Sequence, residues 1–129
     1  MRGSNKKNVV MVADDDLFVR KVIISALSEV AEIVEVADGA EVLTAYKEHM
    51  PDVIFLDIHL PNVSGLDLVY DLSKADVGAY IIMLSADSSE DNVRNSRLKG
   101  AKGFLTKPFK KERIMHYFNS CPTIKFADE

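Results

Sequence analysis

Short apolar runs alternate along this chain with segments in which apolar residues recur at helical spacing. A run that is apolar at nearly every position is typical of a strand covered on both faces, as in a parallel sheet. Such strand patterns are VVMVA (9–13), VIFL (53–56), YIIML (80–84) and GFLT (103–106). The first helical pattern, with apolar residues between Val19 and Val30, follows the first run almost directly.

The remaining segments complete this alternation. Residues 33–36 form a short run interrupted by Glu35, which favours a strand at the edge of the sheet. A helix poor in apolar residues is expected between Ser88 and Gly100, opened by a capping box of Ser88 and Asp91 and closed by the glycine. Further helical patterns lie at 42–50, 68–72 and 114–118. Because parallel strands need crossover connections, five strand–helix repeats predict an α/β fold: a doubly wound five-stranded parallel sheet with helices on both faces.

Composition and charge describe one ordinary globular domain. The chain has 129 residues, of which 47% are hydrophobic and 28% charged. A net charge of −4 gives no sign of the basic face that nucleic-acid binding needs. No apolar run approaches the roughly 18 residues of a membrane span, and no signal peptide is recognisable. We therefore expect a cytoplasmic protein with no direct contact with nucleic acid or membrane.

The domain boundaries follow from the same pattern. The first residues, MRGS, resemble an expression-vector leader, so residues 1–7 are expected to be vector-derived or disordered. Residues 8–121 are expected to form the single domain, and residues 122–129 a C-terminal tail. Cys121 is the single cysteine, so an internal disulfide is excluded and a reducing compartment is the simpler expectation.

Polar residues follow the carboxyl ends of the predicted strands: Asp14 and Asp15 the first, Asp57 the third, Ser85 the fourth and Lys107 the fifth. Doubly wound sheets place ligands at this end, so these side chains are expected at one rim. Like charges about 4 Å apart repel by roughly 4 kcal/mol per pair at an effective dielectric constant near 20. The rim therefore needs a divalent cation, and oxygen-only ligands with room for water suit Mg²⁺.

Four motifs in this order resemble those of response regulator receiver domains, the phosphoacceptor modules of two-component signalling that include single-domain chemotaxis receivers. The motifs are VADDD (12–16), VIFLDIHLPNVSG (53–65), IIMLSAD (81–87) and GFLTKPF (103–109). The resemblance covers nearly the whole chain from Asn8 to Phe118. It implies a flavodoxin-like strand order of 2-1-3-4-5 and a domain that accepts a phosphoryl group from a sensor histidine kinase or a histidine phosphotransfer protein.

The resemblance also implies a role for each acidic rim residue. Asp57 matches the phosphoacceptor, the nucleophile onto which the phosphoryl group is transferred. Asp14 and Asp15 match the acidic pair that holds Mg²⁺, with Asp15 the more direct ligand. Asp57 and the backbone carbonyl of His59 complete the ligands that the protein supplies.

The other matched residues bind the phosphoryl group or report its presence. Ser85 and Lys107 match the switch hydroxyl and the lysine that contact phosphoryl oxygens, and the Lys107–Pro108 bond is commonly cis in this family. Phe104 matches the aromatic switch position, although it also fits a plain core residue. Receivers usually dock on an output domain or partner protein, or dimerise on phosphorylation, through the face formed by the fourth helix, fifth strand and last helix.

Two loop residues are candidates for tuning the lifetime of the phosphoryl group. His59 lies two residues after Asp57, and Asp87 lies two residues after Ser85. Each also fits a solvated loop residue without such a role. Asp16 fits a helix N-cap rather than a metal ligand.

The main alternative is an enzyme, a Mg²⁺-dependent aspartyl-phosphate phosphohydrolase of the haloacid-dehalogenase type. Its nucleophile belongs in an Asp-x-Asp motif after the first strand, and Asp14-x-Asp16 can be forced to fit that motif. Such an enzyme also needs acidic ligands on a strand after the lysine, and beyond Lys107 the chain holds only Glu112, Asp128 and Glu129. A receiver-like binding module that never takes phosphate is a further alternative, and the complete acidic set argues against it. A nucleotide-binding protein is disfavoured because neither glycine-rich phosphate motif occurs.

Overall fold

The structure, a computed structural model, describes residues 7–126 and contains the predicted alternation of strands and helices. The strands are β1 (Val9–Ala13), β2 (Glu32–Val36), β3 (Val53–Asp57), β4 (Ile81–Ser85) and β5 (Gly103–Thr106). The helices are α1 (Leu17–Leu27), α2 (Val42–His49), α3 (Gly65–Ala75), α4 (Glu90–Lys99) and α5 (Lys111–Ser120), with a 3₁₀ turn at Gly39–Glu41 before α2.

The five strands form one parallel sheet in the order β2-β1-β3-β4-β5. This confirms the α/β fold, the strand order and the position of β2 at an edge. The chain reverses its direction of travel across the sheet between β1 and β3, where Ala13 pairs with Leu56. The carboxyl ends of these two neighbouring strands therefore open side by side, as the location of a ligand site requires.

Each face of the sheet has its own apolar core, which explains why the strands are apolar at every position. In β1, Met11 and Ala13 pack into the core shared with α2 and α3, whereas Val10 and Val12 pack into the core shared with α1 and α5. All five residues of β1, β3 and β4 are buried. Alternate side chains along each strand thus stabilise opposite layers of helices.

The structure corrects two details of the predicted helices. Val30, expected in the first helix, lies beyond the end of α1 and is 44% exposed. The capping box of Ser88 and Asp91 is wrong, because the Ser89 hydroxyl caps α4 by accepting from the Asn92 N–H at 3.3 Å. Gly100 ends α4 as predicted, and its φ of 122° is a conformation that glycine adopts readily.

The residues after α5 pack against the end of the sheet opposite the acidic rim. Ile124 is buried in the same core as Phe118. The Asn8 side chain binds both backbone groups of Lys125, donating to the carbonyl at 2.8 Å and accepting from the N–H at 2.7 Å. Residues 1–6 and 127–129, at the ends of the expected leader and tail, lie outside the described residues.

Candidate functional site

Three carboxylates meet where β1 and β3 end. Asp14 and Asp15 follow β1 directly, and Asp57 is the last residue of β3. One carboxylate oxygen from each lies within 4.8 Å of the others. Asp14 and Asp57 are buried, whereas Asp15 is exposed, so the cluster opens to solvent on the Asp15 side.

Asp14 is fixed by contacts from three directions. Its N–H donates to the Val36 carbonyl at 3.0 Å, and its Oδ1 accepts from the Asp16 N–H at 2.8 Å. Arg20 donates from Nη1 to the Asp14 carbonyl at 2.8 Å and pairs through Nε with Glu35 at 2.9 Å. Arg20 was not among the residues predicted from the sequence, because nothing local distinguishes it from the other basic residues. Asp16 caps α1 as predicted, accepting from the Phe18 N–H.

Lys107 provides the positive charge of the rim. Its Nζ lies 2.7 Å from Asp14 Oδ2 and 3.5 Å from Asp57 Oδ1. Burial alone would lower the pKa of the Lys107 ammonium, but the two carboxylates raise it above its ordinary value. Burial raises the pKa of the Asp14 carboxyl above its ordinary value despite the contact with Lys107. The Lys107–Pro108 bond is cis, and the Lys107 N–H donates to the Ser85 carbonyl at 2.8 Å.

The acidic cluster can hold a divalent metal ion. In octahedral Mg²⁺ coordination, neighbouring ligand oxygens lie about 3.0 Å apart and opposite ones about 4.2 Å apart, so oxygens within 4.8 Å of one another must move inward to share one ion. The donors are all oxygens, which Mg²⁺ prefers over softer metals. Beside them, a cavity of about 500 Å³ is lined by Asp15 and by the loop after β3. That loop begins with Ile58, whose N–H donates to the Leu84 carbonyl at 3.0 Å.

The two candidate tuning residues lie in the loops that follow β3 and β4. The His59 N–H donates to Asp57 Oδ1 at 3.2 Å, and its side chain is exposed. Ser85, buried at the end of β4, accepts the Asp87 N–H at 3.0 Å, which leaves the hydroxyl proton free for an acceptor. The Asp87 side chain is exposed and accepts from the Ser89 N–H at 2.9 Å.

Phe104 lies half-buried on β5 under a tyrosine of α5. The Tyr117 hydroxyl is 3.5 Å from both the N–H and the carbonyl of Phe104. A cavity of about 390 Å³ between α4 and β5 is lined by Phe104, Tyr117, Val93 and the buried Ser96, among others. Gly103 leaves room for the tyrosine, since an added Cβ would lie 2.3 Å from its ring. Phe104 therefore borders this cavity and also packs against the core on the same face of the sheet.

Comparison with known proteins identifies the family. Residues 10–119 match the model for the response regulator receiver domain. The chain belongs to this family. The chemotaxis protein CheY of Halobacterium salinarum is 35% identical over 107 residues, covering 82% of this chain and 89% of the relative. The DNA-binding response regulator MtrA of Mycobacterium leprae is 33% identical over 107 residues, which is 82% of this chain but 47% of that protein.

A solved structure extends the comparison to three dimensions. One chain in the crystal structure of the CheX–CheY–BeF₃–Mg complex from Borrelia burgdorferi is similar, with a TM-score of 0.80 at 32% identity, covering 85% of each chain. This similarity confirms the receiver fold and the expected membership of two-component signalling. No helix in residues 7–126 is both long and apolar enough to span a membrane.

Proposed function

We propose that this receiver domain accepts a phosphoryl group on Asp57, with Mg²⁺ bound at the acidic rim. The donor is the phosphohistidine of a sensor histidine kinase or of a histidine phosphotransfer protein. The observation that carries this proposal is the meeting of three carboxylates with the Lys107 ammonium, which lies 3.5 Å from Asp57. Asp14, Asp15, Asp57 and the backbone carbonyl of His59 would hold the metal.

The transfer needs a nucleophile and neutralised charge. A carboxylate oxygen of Asp57 forms the new O–P bond while the P–N bond to the donor imidazole breaks, and that nitrogen keeps the bonding electrons. The Lys107 ammonium and the Ser85 hydroxyl each bind an equatorial phosphoryl oxygen, since both carry protons to donate. When bound, Mg²⁺ neutralises further negative charge at the phosphoryl group.

The same contacts have the strength to drive a conformational switch. Moving an equilibrium from 1:99 to 99:1 takes roughly 5.5 kcal/mol. The hydrogen bonds from Ser85 and Lys107 to the phosphoryl group contribute about 1.5–3 kcal/mol each, which approaches that amount. When Ser85 turns to the phosphoryl group, the loop after β4 follows, and Phe104 turns into the space that this movement vacates.

The switch acts on α4, β5 and α5, which dock on an output domain or partner protein or support dimerisation. The weak anchoring of α4 supports this assignment, because its buried residue is the small polar Ser96 while Leu98 is 77% exposed. A helix with few buried apolar contacts opens at low free energy. The domain works in the cytoplasm, where its kinase partners act.

His59 and Asp87 adjust how long the phosphoryl group survives. Their side chains are exposed, and they lie in the loops that follow Asp57 and Ser85, where water has access to the rim. A His59→Ala variant is therefore expected to change the dephosphorylation rate, measured by loss of phosphorylated protein after removal of the donor. An unchanged rate would remove His59 from the proposal. The phosphohydrolase alternative is set aside, because the receiver model matches residues 10–119.

Incubation with acetyl phosphate and Mg²⁺, followed by intact-protein mass measurement, tests the proposed function. We expect one added phosphoryl group on the wild type and none on Asp57→Asn. The matched control is Asp71→Asn, which removes an exposed carboxylate from α3 and should be labelled like the wild type. Labelling of Asp57→Asn equal to that of the wild type would refute the assignment of the acceptor.

A further inference from the structure

A pair of polar side chains joins the loop after β2 to the loop after β3. Asp38 Oδ2 accepts from Asn62 Nδ2 at 2.7 Å, and Asp38 Oδ1 accepts from the Ala40 N–H at 2.8 Å. The bond from Asn62, together with that from Ala40, lowers the pKa of the Asp38 carboxyl below its ordinary value. Neither Asp38 nor Asn62 belongs to the acidic cluster, although Asn62 lines the cavity beside it.

The backbones of the two loops also meet next to this pair. The Gly39 N–H donates to the Pro61 carbonyl at 3.0 Å, and the same carbonyl accepts from the Val63 N–H at 2.8 Å. A Cβ added to Gly39 would lie 2.5 Å from the Val63 carbonyl oxygen and 2.9 Å from that of Pro61. The loop after β3 is thus held against the loop after β2 through contacts that tolerate no side chain at residue 39.

Asn62 has a backbone conformation suited to its place in this contact. Its φ is 70°, in the left-handed region that asparagine and glycine tolerate better than other residues. The asparagine therefore supplies both the turn and the amide that reaches Asp38. We refer to the Asp38–Asn62 hydrogen bond as the loop latch.

The latched loop is the one that leaves the phosphoacceptor and carries His59. At its start, the His59 N–H donates to Asp57 Oδ1 at 3.2 Å. At its end, the Gly65 N–H donates to the Ile58 carbonyl at 2.8 Å. Between these two points, the hydrogen bond from Asn62 to Asp38 holds the loop after β3 against the loop after β2.

We propose that the loop latch is a positioning device for the divalent cation, and that it sets metal affinity through the placement of the His59 carbonyl. This inference rests on the proposed function, in which that carbonyl is a ligand. A loop held in its binding conformation loses less freedom when the ion binds, so affinity rises without any new contact to the ion. The latch should therefore change the dissociation constant of Mg²⁺ while leaving the transfer step at saturating Mg²⁺ unaltered.

The variant Asn62→Gly tests this role cleanly. Glycine accepts the positive φ and leaves the net charge unchanged, so the substitution removes the amide without straining the backbone. Because glycine also frees the backbone, an exchange of the two side chains is needed to separate the loss of the hydrogen bond from that effect. We expect the dissociation constant of Mg²⁺, measured by titration calorimetry without a phosphodonor, to rise about 3-fold to 10-fold. The rate of labelling by acetyl phosphate at saturating Mg²⁺ should remain that of the wild type.

An exchange of the two side chains provides the control. In the double variant Asp38→Asn/Asn62→Asp, the new amide can donate to the new carboxylate and net charge is conserved, so most of the lost affinity should return. The single variant Asn62→Asp places two carboxylates where the hydrogen bond of 2.7 Å lay, and their repulsion opens the latch. This variant should therefore bind Mg²⁺ more weakly than the wild type. Exposed Asn119 on α5 offers a matched loss of an amide, and Asn119→Ala should leave the affinity unchanged.

The outcomes separate the latch from the proposed function. An unchanged dissociation constant in Asn62→Gly, or a failure of the exchanged pair to recover affinity, overturns the latch. A fall in the saturated labelling rate of Asn62→Gly also overturns it, because the defect would then lie in the transfer step. A wild type that binds no Mg²⁺ refutes the proposed metal site itself.

Discussion

Replacement of Lys107 by methionine removes the cation that balances the acidic rim and keeps a side chain of similar length. At an effective dielectric constant of about 20, the Lys107 ammonium attracts Asp14 across 2.7 Å by about 6 kcal/mol and Asp57 across 3.5 Å by about 5 kcal/mol. Loss of solvation offsets most of this attraction. Removing one partner of a buried ion pair typically costs about 3–5 kcal/mol. Because the Lys107 side chain is 22% exposed, we expect the low end of this range: the free energy of unfolding of Lys107→Met should be about 3 kcal/mol lower than that of the wild type at neutral pH.

The loss should depend on pH in a defined direction. Burial already raises the pKa of Asp14, and removal of the lysine removes a contact that lowers it. A carboxyl whose pKa is higher in the folded state than in the unfolded state destabilises the fold as pH rises through the folded pKa. As pH rises above the ordinary carboxyl pKa, the free energy of unfolding of Lys107→Met should therefore fall more steeply than that of the wild type.

Urea unfolding followed by circular dichroism measures both effects, in chelator and in excess Mg²⁺. Since a bound divalent cation replaces the missing positive charge, Mg²⁺ should stabilise Lys107→Met more than it stabilises the wild type. Lys47→Met, at an exposed site on α2, is the control for loss of a lysine and should behave like the wild type. If Lys107→Met lowers the free energy of unfolding by less than about 1 kcal/mol in chelator, Lys107 does not balance the charge of the rim. The same conclusion follows if Mg²⁺ stabilises the variant less than the wild type.

Three further predictions concern the packing and protonation of the same fold. Gly65→Ala should unfold the domain or destabilise it by at least about 3 kcal/mol in urea, because the added Cβ would lie 2.1 Å from the Asp57 carbonyl oxygen. Tyr46→Phe should lower the free energy of unfolding by about 1 kcal/mol, since the buried hydroxyl donates to Asp76 at 2.9 Å and that carboxylate is exposed to water. Mg²⁺ affinity in calorimetry should weaken as pH falls toward the raised pKa of Asp14, because the protonated carboxyl binds no metal; an affinity that stays constant as the solution is acidified would contradict that cause.

The rim could be predicted from sequence because it depends on topology alone. Carboxyl ends of neighbouring parallel strands open at one edge, so Asp14, Asp57 and Lys107 were expected together although they lie far apart along the chain. The apolar runs that mark those strands are unbroken, because helices cover both faces of the sheet. The identity and order of the elements therefore followed from local pattern.

Contacts between loops could not be predicted in the same way. The Asp38–Asn62 pair joins residues 24 positions apart, and nothing in the local sequence indicates that their side chains meet. Arg20 is one of 16 basic residues, and its contact with the Asp14 carbonyl depends on how α1 packs on the sheet. The predicted cap of α4 was wrong for a local reason, because Ser88 and Ser89 are adjacent and both carry a hydroxyl. The Asp87 side chain accepts from the Ser89 N–H, and in the resulting turn the Ser89 hydroxyl accepts from the Asn92 N–H.

Mapping the modified residue tests the central claim most directly. After treatment with acetyl phosphate and Mg²⁺, borohydride reduction converts an aspartyl phosphate to homoserine, and peptide mass spectrometry locates the product. We expect homoserine at residue 57, and none when Mg²⁺ is chelated. A modification at Asp14, at Asp15 or at a histidine, with residue 57 unchanged, would contradict it.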